Sequence, residues 1–116
     1  MNLNLLVIRT EHTEKLKAQY EVLGLEFSYH RHGKGSFHYS TEIGELVFEI
    51  YPLLKSQQKA DHSLRLGFEV ENVEAVLMKA KKEDWEVQQE KVETDWGTIA
   101  IIKDQDGRKV ELKEVK

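Results

Sequence analysis

The apolar positions of this chain fall into two successive series that repeat the same order of periods. Residues 3–9, Leu-Asn-Leu-Leu-Val-Ile-Arg, are apolar on both parities, which predicts a strand with both faces at least partly covered. From Glu14 the spacing changes to that of a helix. Leu16, Tyr20 and Leu23 stand at i, i+4 and i+7, with Thr13 placed to cap the start and Gly24 to stop the end. Residues 25–31, 36–42 and 45–51 then read as three strands joined by tight turns at Gly33-Lys34-Gly35 and at Gly44. The plan of this stretch is βαβββ.

The second series opens with Leu64, Leu66, Phe68 and Val70 alternating against Arg65, Gly67 and Glu69, the pattern of a half-buried strand. Asn72 is placed to cap a helix that carries Val73, Val76, Leu77 and Ala80 on one face, and Lys81 and Lys82 suit its C-terminal dipole. Residues 85–91, 96–103 and 109–115 supply three more strands, the last two joined by Asp104-Gln105-Asp106-Gly107. The order is βαβββ again. We therefore expect an α+β domain spanning 1–116, built of modules 1–54 and 61–116 with a polar linker at 55–60. Each module closes on a strand bearing one glutamate, so that Glu49 corresponds to Glu111 and Leu5 to Arg65. A duplicated unit creates a pseudo-twofold surface on which corresponding strands converge, and a site is expected there.

Composition narrows the chemistry. At 116 residues the chain is long enough to bury a proper core, and with no cysteine it has no disulfide, thiolate nucleophile or cysteine-bound metal. The net charge of −4 argues against a nucleic-acid partner, because phosphate binding needs clustered positive charge; Lys79, Lys81 and Lys82 read as a solvated helix end. No basic region precedes the first apolar stretch, and no apolar run approaches the ~20 residues of a membrane span. A cytoplasmic protein with no membrane partner is expected.

Four segments in a fixed order then carry a resemblance. They are Tyr20-Glu21-Val22-Leu23-Gly24-Leu25 after the first helix, Val47-Phe48-Glu49-Ile50, Trp96-Gly97-Thr98, and the stretch from Lys103 through Asp104, Gly107 and Glu111 to Leu112. On these the whole chain resembles the vicinal oxygen chelate superfamily, which includes glyoxalase I, bleomycin-resistance proteins and extradiol dioxygenases. The resemblance implies eight mixed strands in two paired modules curling around a shared cavity, often completed by homodimerisation, so a homodimer is expected. It also implies a place for metal ligands, typically His, Glu, His and Glu from the first and last strands of each module. The glutamate positions fall on Glu49 and Glu111, but the histidine positions fall on Leu5 and Arg65. A catalytic divalent metal normally has at least three protein ligands, so no cofactor is expected. Arg65 instead would supply the positive charge, its guanidinium lying between two carboxylates and keeping them ionised. The alternative is a buried ion pair that only holds the modules in register.

Three histidines form a rival constellation. His30 and His32 share a strand face, and a three-residue turn at Gly33-Lys34-Gly35 would set His38 opposite His30. With Glu49 they offer a displaced ligand set of His30, His38 and Glu49 for a metal-dependent lyase, isomerase or dioxygenase; otherwise they belong to a polar hairpin near the cavity mouth. The glycines of that turn are no dinucleotide fingerprint, Asp104-Gln105-Asp106-Gly107 lacks the offsets of a calcium loop, and Ser36 and Ser40 have no nucleophile elbow. Tyr29, Phe37, Tyr39, Phe48, Tyr51, Trp85 and Trp96 suffice to line a pocket as well as fill a core. Tyr51 shares parity with Glu49 and should face the cavity, Phe48 and Ile50 should pack under the helices, and Arg9 belongs at the rim. The expected activity is binding of a small organic ligand by Glu49, Tyr51, Arg65, Glu111, His30 and His38, with no catalytic residue assigned.

Overall fold

Each apolar run of the sequence becomes an element of the computed structural model, which describes residues 1–31 and 33–116. The chain divides into two units, Met1–Asp61 and His62–Lys116. The first contains β1 (Leu5–Thr10), α1 (Thr13–Glu21), β2 (Ser28–His30), β3 (His38–Ile43) and β4 (Leu46–Pro52). Its sheet has the order β1-β4-β3-β2, with β1 parallel to β4 and the other pairs antiparallel. The parallel pair needs a crossover, and α1 lies on that path.

Strand parity decides what α1 covers. Ile8 and Thr10 of β1, Thr41 of β3, and Phe48 and Ile50 of β4 are buried on the helix side, together with Leu16 and Tyr20 of α1. The Tyr20 ring meets Phe48 edge-on at 5.4 Å, and Phe27 does so at 5.9 Å. Burying each such side chain is worth about 1.5–3 kcal/mol. The expected placing of Phe48 and Ile50 under the helix holds. The expected cap does not: Thr13 is the first helical residue, His12 is the N-cap and makes no side-chain cap bond. The nearby hydroxyl that does accept a main-chain N–H is Thr10 Oγ1, from His12 at 3.2 Å, so it stabilises the approach to the helix rather than its first turn. At the other end Gly24 takes φ +102° and donates to the Glu21 carbonyl at 3.0 Å, the left-handed stop expected of glycine.

The β2–β3 hairpin is shorter than the sequence pattern suggests, because residues 25–27 leave the ladder and Phe27 turns its ring onto Phe48. Its register nevertheless sets Ser28 opposite Ser40, Tyr29 opposite Tyr39 and His30 opposite His38, as the turn length implied. His32 lies outside the described residues.

The second unit repeats the plan with β5 (Leu66–Val70), α2 (Val73–Lys82), β6 (Glu86–Thr94), β7 (Gly97–Lys103) and β8 (Lys109–Glu114), in sheet order β5-β8-β7-β6. Asn72 caps α2 as expected, its Oδ1 accepting from Ala75 N–H at 3.0 Å, and the Glu114 carboxylate accepts from Val73 N–H at the same distance. Val73, Leu77 and Ala80 of α2 are buried, as are Val70, Trp85, Ala100, Ile102, Val110 and Leu112. β6 reaches Thr94, three residues past the predicted end, and two register irregularities interrupt its pairing with β7. Trp85 is core, whereas Trp96 stands exposed at the β6–β7 turn. Among the described residues no helix is long and apolar enough to cross a membrane.

The duplication is visible in the registers themselves. Val7 pairs with Glu49 across β1 and β4, and Gly67 pairs with Glu111 across β5 and β8. Leu5 and Arg65 therefore stand in equivalent places, each two residues before the partner of a glutamate.

Candidate functional site

The sheet face turned away from α1 gathers the polar chemistry of the first unit. It carries Leu5, Val7 and Arg9 from β1, Glu49 and Tyr51 from β4, His38 and Ser40 from β3, and His30 from β2, because these positions alternate with those under the helix. Three of them form a stack. The Arg9 guanidinium lies over the Tyr51 ring, 4.9 Å from its centroid, and the other side of the stack is His38, whose ring is 4.2 Å from Tyr51 and within 6° of parallel. Arg9 Nη1 also donates to the Pro52 carbonyl at 3.0 Å, which fixes the guanidinium over the ring. An arginine over an aromatic face is worth about 0.5–1 kcal/mol at exposed sites and more when desolvated.

His38 is only 1% exposed although it lies on the open face, since Tyr51 covers it. Its Nε2 stands 3.2 Å from Glu49 Oε2, and its Nδ1 is 3.2 Å from the Ser36 carbonyl. Both ring nitrogens thus face oxygen acceptors. The Glu49 side chain is itself 14% exposed, so this imidazole–carboxylate pair is largely withdrawn from water while Tyr51 and Arg9 remain half-buried above it. His30 completes the row at 5.9 Å from the His38 ring, tilted by 30°.

The second unit arranges its predicted residues differently. Arg65 Nη2 lies 3.9 Å from Glu111 Oε1, with the two side chains 55% and 37% exposed. The arginine thus meets one of the two carboxylates, within its own unit and in contact with water, while Glu49 stands beside the His38 ring. A long, solvated contact of this kind is neither a buried clamp nor a strong brace.

The remaining aromatics lie on the helix side of the first sheet. Tyr29 stacks on Phe37 at 5.1 Å and tilts against Tyr39 at 4.8 Å, with Arg31 over Phe37 and Lys17 over Tyr39. The Tyr39 hydroxyl is pushed above the ordinary tyrosine range by burial, and the Glu14 carboxylate adds to the shift. It stays protonated and neutral at physiological pH.

The model of the Glyoxalase/Bleomycin resistance protein/Dioxygenase superfamily matches residues 2–112. The chain belongs to this superfamily. Solved structures share its fold: a glyoxalase/bleomycin resistance protein from Albidiferax ferrireducens T118 superposes with a TM-score of 0.78 at 18% identity, covering 98% of each chain. TnmS3, an antibiotic binding protein from Streptomyces sp. CB03234, does so with a TM-score of 0.74 at 19% identity, over 100% of this chain and 97% of its own. A hypothetical protein, SA1046 from S. aureus, gives 0.76 at 16% identity over 99% and 94%. No curated protein matches the chain in sequence. At these identities the likeness is one of fold, and function has to be argued from the site.

Sequence reasoning named Glu49, Tyr51, His30 and His38 but treated them as two separate constellations, and it placed Arg9 at a rim. In this glyoxalase/bleomycin-resistance fold they form one cluster. The signal that joins them is parity combined with the hairpin register: His38 faces His30, and one step beyond the Tyr39–Ile50 pair it faces Tyr51.

Proposed function

We propose that the protein binds a small organic molecule, and that the binding surface is built on the Arg9–Tyr51–His38 stack with Glu49 beneath it. The observation that carries this reading is the stack itself. A tyrosine held between a guanidinium and an imidazole forms a rigid row whose open edge is partly apolar, with a largely buried carboxylate close by, the mix of apolar walls and few fixed polar groups typical of small-molecule sites. Such a surface suits a planar conjugated ligand. His30, Arg65 and Glu111 complete the proposed ligand-contacting set, the protein acts in the cytoplasm, and, as is common for the superfamily, it works as a homodimer. That one structural neighbour, TnmS3, is an antibiotic binding protein favours sequestration as the role.

The residues at the superfamily's metal positions do not fit a divalent ion. Leu5 has no donor atom and Arg65 is a permanent cation, which leaves two carboxylates where at least three ligands are needed. The displaced set of His30, His38 and Glu49 fits no better. Within it His38 already has an oxygen beside each ring nitrogen, Glu49 Oε2 at Nε2 and the Ser36 carbonyl at Nδ1. A second reading rests on the His38–Glu49 pair: an imidazole beside a carboxylate is a general acid–base unit, and a ligand lying on Tyr51 would be close to it.

Titration calorimetry with a panel of planar aromatic compounds, antibiotics among them, tests the proposal. At least one should bind saturably to the wild-type protein, and Tyr51→Ala should weaken it about tenfold or more while leaving the circular dichroism unchanged. Undiminished affinity in folded Tyr51→Ala would refute the placement of the site. Stoichiometric metal retained by protein purified without a histidine tag would favour the metal-dependent enzyme instead.

A further inference from the structure

A second concentration of chemistry lies at one end of the second unit's sheet, next to Arg65 and Glu111. A recess of about 340 Å³ is lined there by His62, Ser63, Leu64, Arg65, Lys103, Gly107 and Lys109. Its three cations arise from a single transverse row. Lys103, the last residue of β7, is the direct partner of Lys109, the first residue of β8, and Arg65 stands one step before the Leu66–Val110 pair on the next strand. The chain as a whole has a net charge of −4, so this local excess runs against its composition.

Like charges directly opposite each other on antiparallel strands are destabilising, and natural sheets usually avoid the arrangement. Local rules broken without a compensating contact tend to mark functional positions. The carboxylates nearby offset the row only in part. Glu86, the direct partner of Lys103 on β6, lies 3.6 Å from its ammonium and Glu111 lies 3.9 Å from Arg65, while Asp106 is engaged by the buried Arg108, so the row keeps a net positive charge centred on Lys109. Gly107 shapes the wall: it adopts φ +92°, and a side chain there would start 3.4 Å from the His62 Cβ. We propose that this recess is an oxyanion site, taking the phosphate or carboxylate group of a small ligand between Arg65, Lys103 and Lys109. Arginine supplies a planar two-pronged donor and the lysines supply point charge, the usual combination around such groups. The proposal uses only residues of the second unit, of which Arg65 alone is shared with the ligand-contacting set proposed above, and its lysine variants leave the Tyr51 surface untouched.

Inorganic phosphate is the probe, titrated at constant ionic strength against chloride, with amide resonances as the readout. Saturable shifts confined to residues 62–65 and 103–109 are expected, and tricarballylate in place of phosphate distinguishes a carboxylate preference from a phosphate one. Lys103→Gln with Lys109→Gln should weaken binding about tenfold or more. Lys79→Gln with Lys82→Gln, which removes the same charge from α2, should leave it unchanged. Equal weakening in both double variants would reduce the effect to general electrostatics and overturn the proposal. So would the absence of saturable shifts in the wild-type protein with either anion, a result that does not depend on any variant folding.

Discussion

Two arginines of the second unit offer a direct test of how burial sets the worth of a charge. Arg108 is 1% exposed and donates through Nη1 to Asp104 Oδ2 at 3.2 Å and to Asp106 Oδ2 at 3.1 Å, while the Asp104 side chain is fully buried. Arg108→Met keeps most of the volume and strands the Asp104 carboxylate. Removing one partner of a buried ion pair costs about 3–5 kcal/mol. Asp104 Oδ1 retains the N–H groups of Asp106 and Arg108, so the lower part of that range applies, about 3 kcal/mol. At roughly 4 °C per kcal/mol for a chain of this size, the melting temperature should fall by about 12 °C. Arg65→Ala removes a contact of 3.9 Å between half-exposed groups and should cost less than about 1 kcal/mol. Urea unfolding of both variants beside the wild type gives the comparison. If the loss comes from a stranded charge, Asp104→Asn should be far less costly in the Arg108→Met background than in the wild type, a coupling the double-mutant cycle reads directly. Losses of equal size for the two arginines, or strictly additive costs for Arg108 and Asp104, would refute the reasoning.

Two further outcomes are expected. Asn72→Ala should destabilise by about 0.5–1 kcal/mol, the lower end of what an N-cap is worth, because Glu114 still accepts the Val73 N–H; chemical denaturation measures it, and a loss above about 2 kcal/mol would show that Asn72 does more than cap α2. The proposed homodimer should appear in light scattering at micromolar concentration, with an isologous interface of at least about 1,000 Å², and a stable monomer that still binds ligand would contradict it.

Some of this was legible in the residues because strand parity is an unforgiving code. With a period of two, naming the strand around Glu49 was enough to send Phe48 and Ile50 under a helix and Tyr51 to the opposite face. The repeat was legible for the same reason, since both units had to restore the same alternation. What the pattern hid were contacts made by chains folding back on themselves. Arg108 reads as a surface residue in any hydrophobic profile, yet the turn that begins at Asp104 carries it inward beside Asp104 and Asp106, four and two residues earlier. The spacing Asp-x-Asp-x-Arg was the available signal. The partner of Glu49 was hidden for another reason: parity puts His38 on the correct face, but only the hairpin register and the Tyr51 ring above it bring that imidazole, buried, against the carboxylate.

The two units show what duplication leaves free to change. Their helix-side residues must fill equivalent spaces and have stayed apolar: Phe48 and Ile50 in one, Val110 and Leu112 in the other, all fully buried. Their open faces have diverged by position. Taking Glu49 and Glu111 as equivalent, Arg9, Tyr51 and His38 of the first unit correspond to Glu69, Lys113 and Ile99 of the second, which cannot form a stack. Conversely Arg65, Lys109 and Lys103 correspond to Leu5, Val47 and Glu42, which cannot hold an anion. Each unit therefore concentrates its chemistry at a different end of the same sheet.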